Sequence, residues 1–248
     1  MYVFGDPHGH LPRVQALLLE AGLVGEDLRW IAGESSLLFV GDYLDNGPDG
    51  VGVVDLMMRL QAEAGTVGAR VDALLGNHDV LFLAALRLGS RHATTWLEQG
   101  GQEEDRARAT QAQIEWLSTL PAMLVHQDHL CVHADTPAYL RYGASAREVN
   151  DSVRDVLASD DASRWDELLD DLGQHHAFEG RSGVALARRF LSQFGGSQIL
   201  HGHTPIQKVT AQPSQEVRGA LAYAEGLCVN VDGGIYRGGP GFVYQTVS

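Results

Sequence analysis

Cysteine is scarce in this chain, which contains only Cys131 and Cys228. Both lie within apolar runs, so we interpret them as small buried hydrophobic residues. Two cysteines without a repeated spacing exclude a disulfide-stapled framework. Stability must then come from an apolar core, and 248 residues with 44% hydrophobic content are enough to bury a large one. We predict one domain over residues 1–248.

Basic side chains are also few, with 18 Lys and Arg residues against 32 Asp and Glu residues and a formal net charge of −14. A protein that holds nucleic acid across a broad face needs basic surface to neutralise phosphates. We therefore expect no nucleic-acid partner. A local cationic site is still compatible with this composition, because bound divalent metal ions can dominate the charge around them.

Long apolar runs are missing as well. No stretch approaches the roughly 20 residues that a helix needs to cross a bilayer, so we expect no membrane partner. The first apolar run, Tyr2–Phe4, is followed almost at once by the polar candidate Asp6, which leaves no room for a signal peptide. A cytoplasmic protein is the expectation that follows.

The first third of the chain alternates short apolar runs with amphipathic segments. The runs predict strands and the segments predict helices, in the order Tyr2–Phe4, Leu11–Leu23, Leu37–Val40, Val51–Leu60, Val71–Leu75 and Val80–Leu88. This order indicates a largely parallel sheet with crossover helices. Ligand sites in such sheets lie just past the carboxyl ends of the strands.

The rest of the chain is less regular. Its charge, Ala and Gln content makes Glu103–Leu120 typical of an exposed helical segment, and helices are also predicted within Arg147–Leu172 and at Val184–Phe194. Short apolar runs predict strands at Met123–Val125, Leu130–Val132 and Gln198–Leu200. For the tail we predict antiparallel strands at Lys208–Thr210, Ala220–Tyr223, Leu227–Val231 and Phe242–Gln245.

Four polar segments follow apolar runs at or near their ends. They are Gly5-Asp6-Pro7-His8-Gly9, Gly41-Asp42-Tyr43-Leu44-Asp45, Gly76-Asn77-His78-Asp79 and His201-Gly202-His203-Thr204. Asp6 and His8 are two residues apart, so in an extended segment they project to the same side. Oxygen ligands combined with imidazole nitrogens suit Mn, Fe or Zn. The simplest interpretation is a two-metal site that hydrolyses a phosphate ester.

The order of these segments resembles the calcineurin-like metallophosphoesterase superfamily, and within it the phosphoprotein phosphatase branch and its bacterial relatives, which include symmetric diadenosine tetraphosphatases. The segment Gly41–Pro48 resembles that branch's GDYxDRGP, Trp96–Gly101 resembles its WLxNGG, and Val229–Gly234 is similar to its last core strand and turn. The resemblance implies an α/β fold in which two mixed β-sheets pack face to face with flanking helices.

The resemblance also implies roles for particular side chains. Two divalent metal ions, Mn first and Fe or Zn as alternatives, would be held by six residues, of which Asp42 would bridge the ions. These residues are Asp6, His8, Asp42, Asn77, His133 and His203. His78 would be the general acid, kept protonated and oriented by Asp45. The nucleophile would be a metal-bridging hydroxide.

Substrate-binding residues are implied at four further positions. Asn46 stands where the branch usually has an Arg that grips phosphate bidentately, and Asn46 carries no charge. Arg181 resembles a second phosphate-binding Arg of the family. Tyr236 and Arg237 occupy a turn that could overhang the site. His201 has no counterpart among the branch's ligands, so we interpret it as a structural polar residue.

Three functions remain open at this point. The first is a phosphomonoesterase of protein Ser/Thr phosphatase type, acting on a phosphorylated protein or a small phosphate ester. The second is symmetric hydrolysis of a dinucleoside polyphosphate such as diadenosine tetraphosphate. It is suggested by the segments Leu75–Asp79 and Val132–Ala134, which resemble the corresponding segments of diadenosine tetraphosphatases. The acidic composition and the missing Arg oppose a highly anionic substrate. The third is a metal-binding module without turnover.

Overall fold

The computed structural model describes residues 1–246, so the last two residues of the predicted 1–248 domain lie outside the described range. Its strands are β1 (Tyr2–Phe4), β2 (Ser36–Phe39), β3 (Arg70–Ala73), β4 (Met123–His126), β5 (His129–Val132), β6 (Gln198–His201), β7 (Leu221–Tyr223), β8 (Cys228–Asn230) and β9 (Val243–Gln245). Its α-helices are α1 (Leu11–Glu20), α2 (Gly50–Thr66), α3 (Asn77–Arg87), α4 (Ser90–Glu98), α5 (Glu103–Arg108), α6 (Gln111–Thr119), α7 (Ala146–Ala158), α8 (Ala162–Leu172), α9 (Gly180–Phe194) and α10 (Ile206–Thr210). Short 3₁₀ turns lie at Pro137–Arg141, Ser214–Glu216, Ala224–Gly226 and Ile235–Arg237.

The strands form two sheets, both of them mixed. The first sheet has the order β3-β2-β1-β9, in which β1, β2 and β3 are parallel and β9 is antiparallel to β1. The second sheet has the order β4-β5-β6-β8-β7, in which β5, β6 and β8 are parallel and the two edge strands are antiparallel. The predicted α/β architecture of two mixed sheets with flanking helices is confirmed.

An apolar layer lies between the two sheets. Its buried members are Val3, Leu38, Val40 and Leu74 from the first sheet and its strand ends, and Cys131, Leu200, Val229 and Val231 from the second. The alternate positions, such as Phe4, Leu37 and Phe39, belong to the larger core beneath the helices. This period of two is what strands covered on both faces require. Both cysteines are buried and free, as predicted.

The parallel strands of both sheets end at one edge of the sandwich. The loop after β2 meets the end of β5, where the ring nitrogen Nδ1 of His133 lies 2.8 Å from the carbonyl oxygen of Val40. The loop after β1 meets the end of β6, where the backbone N–H of His203 donates to Asp6 Oδ2 at 2.8 Å. Segments that are far apart in sequence therefore converge at this edge.

The tail differs from its prediction. Residues Lys208–Thr210 are not a strand, because they belong to helix α10. Pro205 precedes this helix, and the backbone N–H of Ile206 donates to the carbonyl oxygen of Asp232 at 3.1 Å, which fixes the start of the turn. Strand β8 pairs in parallel with β6 and β9 joins the first sheet beside β1. The prediction of a wholly antiparallel tail is therefore wrong.

The predicted exposed segment Glu103–Leu120 is two helices, α5 and α6. It is not exposed throughout, because the Asp105 carboxylate is buried and accepts hydrogen bonds from the backbone N–H groups of Gly50 (2.8 Å) and Val51 (3.2 Å). These groups begin helix α2, whose first N–H groups have no partner within the helix. No helix in the described part of the chain combines the length and apolarity needed to cross a bilayer.

Candidate functional site

Asp42 lies at the centre of the converging loops, and its side chain is buried. Its Oδ1 lies 3.4 Å from His133 Nε2, and its Oδ2 lies 3.6 Å from His8 Nε2. Two groups of ligand-type side chains share Asp42, one with His8 and His78 and the other with His133 and His203, and within each group the ligand atoms lie within 4.8 Å of one another. One carboxylate is therefore placed between two potential cation positions.

The other two predicted ligands join the same cluster. Asn77 Oδ1 lies 2.9 Å from His133 Nε2. Asp6 accepts the backbone N–H of His203 through Oδ2 at 2.8 Å, while its Oδ1 is buried without a hydrogen-bond partner among the described residues. An unpartnered buried carboxylate oxygen calls for an explanation, and a bound ion is one. The structure thus brings all six predicted ligands together.

Backbone carbonyl groups orient the three ligand-type imidazoles. His8 Nδ1 lies 3.1 Å from Leu44 O, His133 Nδ1 lies 2.8 Å from Val40 O, and His203 Nε2 lies 3.3 Å from Gly173 O. A carbonyl oxygen only accepts, so each of these ring nitrogens donates and the opposite nitrogen presents a lone pair. This arrangement is typical of metal-binding histidines, in which the outer hydrogen bond sets the tautomer. The donor set therefore fits divalent metal ions such as Mn, Fe or Zn.

The electrostatics of the site reflect crowded acidic and imidazole groups. Burial lowers the pKa of His8 to about 3, which favours the neutral ring. Burial raises the pKa of Asp6, and the nearby Asp232 and Asp42 raise it further. For Asp42 burial acts in the same direction, but His133 and His78 outweigh it and hold the pKa well below its usual range. Cations at this position would relieve the repulsion between the buried carboxylates.

His78 and Asp45 form a hydrogen-bonded pair beside the cluster. His78 Nδ1 lies 2.9 Å from Asp45 Oδ2, and the other carboxylate oxygen accepts the indole N–H of Trp96 at 2.6 Å. Burial lowers the pKa of His78, but Asp42 and Asp45 outweigh it and raise the pKa to about 9. A protonated imidazole whose Nδ1 donates to a carboxylate keeps Nε2–H available as a proton donor.

The segment Trp96–Gly101 positions this pair. Trp96 is fully buried, and Gly100 accepts the backbone N–H of Asn46 at 2.8 Å. A Cβ atom at Gly101 would collide with the Trp96 indole, so only glycine lets the chain pass there. The sequence motif Trp96–Gly101 carries no assigned role in the sequence analysis. In the structure this segment holds the loop that carries Asp45 and Asn46.

The backbone at the site adopts conformations that most residues avoid. Asp42, Asp45, Asn46, His8 and His203 all have positive φ angles, between 42° and 67°. Such angles cost energy for residues with a Cβ atom and cluster at functional sites. The surrounding structure maintains these conformations, because the loops after β1 and β2 are hydrogen-bonded to each other through the N–H groups of His8 and Gly9.

The structure separates the four predicted substrate-binding residues. Asn46 Nδ2 lies 3.5 Å from His8 Nδ1, and the Tyr236 ring packs edgewise on His8 with 4.5 Å between the ring centroids. Arg237 is exposed and its guanidinium lies over the Tyr236 ring, 5.0 Å from the centroid. Arg181 is not brought to the cluster. It is exposed at the start of α9 and lines a separate depression with Ala224 and Glu225, because α9 packs on the outer side of the second sheet.

His201 lies in the core behind the site. Its Nδ1 is 3.0 Å from the carbonyl oxygen of Gly202, and its Nε2 is 2.8 Å from the hydroxyl oxygen of Tyr223. Burial lowers the pKa of His201. Both ring nitrogens thus have partners outside the cluster.

Two connected cavities open onto the site. The smaller, of about 240 Å³, is lined by six of the residues already described, by Gln99, Gly173, His175 and Thr204, and by Lys208. The larger, of about 750 Å³, lies between α4 and α8 and shares Asn77, Gln99, Gly173 and His175 with the smaller. A substrate bound in the small cavity can therefore extend into the large one.

Comparison with known proteins decides the family. Residues 1–207 match the family model described as calcineurin-like phosphoesterase. The chain belongs to this family. The resemblance inferred from the sequence motifs is confirmed.

Individual relatives match parts of the chain. Serine/threonine-protein phosphatase 1 of Salmonella typhimurium is 31% identical over 147 residues, which are 56% of this chain and 60% of that protein. A symmetrical bis(5'-nucleosyl)-tetraphosphatase of Janthinobacterium sp. is 30% identical over 134 residues, 54% of this chain and 42% of that protein. The matches span between 21% and 60% of the lengths of the curated relatives. The cold-active protein-tyrosine phosphatase of a psychrophile Shewanella sp. shares the fold, with a TM-score of 0.74 at 20% identity over 98% of this chain and 73% of that one.

Sequence reasoning missed two residues of this candidate site. Asp79 is fully buried and accepts the backbone N–H groups of Asp42 (2.9 Å), Tyr43 (3.0 Å) and Gly76 (2.9 Å), so it ties two ligand loops together. The position of Asp79 in the third polar segment, next to Asn77 and His78, is the signal in the sequence that could have identified it. Lys208 was missed because its segment was predicted to be a strand.

Proposed function

We propose that this chain is a two-metal phosphoesterase that hydrolyses phosphomonoesters, of the protein Ser/Thr phosphatase type. The observation that carries the proposal is the His78–Asp45 pair, with Nδ1 and Oδ2 2.9 Å apart, next to a convergent set of carboxylate, amide and imidazole ligands. A proton donor beside a metal-binding cluster is what cleavage of a phosphate ester with a basic leaving group needs.

We assign the ligands to two divalent ions, Mn first, with Fe or Zn as alternatives. Asp6 and His8 would bind the first ion, Asn77, His133 and His203 the second, and Asp42 would bridge them. The ions would supply Lewis acidity, which activates water and neutralises charge on the phosphate. Asp79 holds the backbone of the Asp42 loop in place through its three accepted hydrogen bonds.

The chain's own residues provide the proton and the positioning. His78 holds a proton on Nε2 and delivers it to the leaving oxygen, since Nδ1 is occupied by Asp45. Asp45 fixes the ring and stabilises its charge, and Trp96 in turn fixes Asp45. Tyr236, packed on His8, lines the small cavity beside the ligand cluster.

The large cavity supports a protein substrate. Its volume of about 750 Å³ is in the range of pockets that enclose extended ligands. Its lining combines the carboxylates of Asp166 and Asp170 with the side chains of Arg91 and His92, and Asp166 pairs with both of these. A lining of mixed charge offers complementary partners to the polar and charged side chains of a peptide.

Symmetric hydrolysis of a dinucleoside polyphosphate is the second candidate. It is favoured by the relatives named bis(5'-nucleosyl)-tetraphosphatase. The large cavity next to the small one could hold a nucleoside. The formal net charge of −14 and the uncharged Asn46 oppose this candidate.

The test is turnover of four substrates by purified protein with Mn²⁺, namely p-nitrophenyl phosphate, its bis-ester, a phosphoserine peptide and diadenosine tetraphosphate. We expect hydrolysis of the monoester and the peptide. Turnover of the dinucleotide alone would support the second candidate and reject the first. Two bound Mn²⁺ ions without any turnover would leave a metal-binding module. The His78→Asn variant controls for contaminating phosphatases.

A further inference from the structure

The small cavity contains few positive charges that a phosphate could use. Asn46 is neutral and its amide lies against His8. Arg237 is exposed, and its Nε donates to the Tyr236 hydroxyl at 3.0 Å, so its guanidinium is held over the ring. Among the described residues that line the small cavity, Lys208 is the one Lys or Arg. The site therefore has one candidate for direct contact between a permanent cation and the substrate.

Helix α10 turns Lys208 back toward the site. The chain leaves the site at His203, and the N–H of Ile206 then donates to Asp232 O at 3.1 Å, while the N–H of Lys208 donates to Pro205 O at 2.8 Å. The Asn230 amide donates to the carbonyl oxygen of Thr204 at 2.7 Å. These bonds anchor the turn to the end of β8.

The Lys208 ammonium is available for a ligand. It makes no hydrogen bond or ion pair with any residue in the range 1–246. The charged groups near it are Arg237 and Asp232. Asp232 is fully buried; its Oδ1 accepts the Gly234 N–H at 2.8 Å, while its Oδ2 has no hydrogen-bond partner among the described residues and forms no ion pair with Lys208. A cation without a partner beside a cluster of acidic and imidazole ligands suits a doubly charged oxyanion.

We infer that Lys208 binds the substrate phosphate and supplies the positive charge that Asn46 does not, an inference that rests on the proposed phosphoesterase function. Lys208 and Tyr236 line the small cavity but not the large one. Lys208 would therefore contact a phosphate in the small cavity, while the rest of the substrate extends toward the large cavity, which shares Asn77 with the small one.

Calorimetric titration of inorganic phosphate into the Mn²⁺-loaded protein tests this directly, without turnover. Lys208→Met keeps the aliphatic stem and removes the charge, and it should raise the phosphate Kd about 10- to 100-fold. Lys208→Arg keeps a charge-assisted contact and should stay within about threefold of wild type. Arg189→Met is the matched control, since Arg189 is exposed on α9, and it should leave Kd unchanged. Mn²⁺ stoichiometry is measured for every variant.

A Kd for Lys208→Met within twofold of wild type would overturn the inference, even if the enzyme turns over monoesters as proposed. Equal losses in Lys208→Met and Lys208→Arg would overturn it too, because shape rather than charge would then matter. If Lys208→Met lost Mn²⁺ binding together with phosphate binding, the inference would also be overturned. Absence of phosphate binding by the wild type rejects it whatever the turnover. A selective loss of phosphate affinity supports it even where no substrate in the panel is cleaved.

Discussion

Trp96→Phe is the substitution that most directly tests how the proposed catalytic pair, His78 and Asp45, is held. The indole N–H donates to Asp45 Oδ1 at 2.6 Å, and Asp45 is 1% exposed. Phenylalanine keeps an aromatic ring against Phe82, whose centroid lies 5.7 Å from that of Trp96, but it leaves one buried carboxylate oxygen without its donor. A hydrogen bond to a charged group is worth about 1.5–3 kcal/mol, and this loss should appear in the free energy of unfolding.

Trp116→Phe provides a matched control within the same chain. Its indole N–H donates to the neutral Gln61 Oε1 at 2.8 Å, and its ring packs edgewise on Tyr43 at 5.4 Å between centroids. A neutral hydrogen bond contributes about 0.5–1.5 kcal/mol. Urea unfolding followed by circular dichroism should therefore show the larger loss for Trp96→Phe, and no change in turnover for Trp116→Phe.

Kinetics separates a positioning role from a purely structural one. A serine alkoxide needs a proton to leave, whereas p-nitrophenolate is weakly basic and leaves readily as an anion. If Trp96 acts through Asp45 on His78, Trp96→Phe should lower kcat for a phosphoserine peptide by about tenfold, within the range of about 10²–10⁴ that a general acid contributes. For p-nitrophenyl phosphate kcat should change little, and KM should be similar for both. Equal kcat losses on the two substrates, or stability losses equal to those of Trp116→Phe, would refute the reasoning.

Three further predictions follow from the fold and the ligand cluster. Asp79→Asn should weaken Mn²⁺ binding about 10- to 100-fold by calorimetry, because an amide replaces one of the two accepting oxygens with an NH2 group, which would face a backbone N–H of the ligand loops. The exposed Glu98→Gln removes the same charge, and equal affinities of the two variants would contradict the assignment. Leu38→Ala should lower the free energy of unfolding by about 2–5 kcal/mol, because Leu38 is buried between the sheets, while Leu19→Ala, at a side chain 44% exposed, should cost under about 0.5 kcal/mol. Chelation with EDTA should abolish turnover and added Mn²⁺ should restore it, and activity that persists in EDTA with no metal left on the protein would reject the two-metal proposal.

The ligand types and their order along the chain could be predicted because each lies in a short segment at or near a strand exit. The patterns are local, since Asp6 lies near His8 and Asn77 lies next to His78. The apolar composition of the runs before them predicts strands. A sheet with parallel strands then requires its loops to meet at one edge. The convergence seen at Asp42 follows from that rule rather than from contacts that sequence alone could specify.

The errors fall where distant contacts decide the outcome. The five residues of α10 are too few to show a periodicity that distinguishes a helical turn from a short strand. The hydrogen bond from the Ile206 N–H to Asp232 O fixes the start of the helix. The sequence resemblance pointed to Arg181 for phosphate binding, whereas the packing of α9 places it in another depression. Asp105 shows the same limit, since a charged helix was predicted to be exposed and its carboxylate instead caps α2.

Sequence by itself determined the donor chemistry of this protein and the sheet edge on which it would gather, because both depend on residue type and on the period of apolar runs. Only the tertiary structure decided which side chains share a cavity, and so brought Lys208 into the site and left Arg181 outside it. The physical reason is that a side chain's reach is a few ångströms, while its neighbours are set by helix packing and strand order across the whole chain.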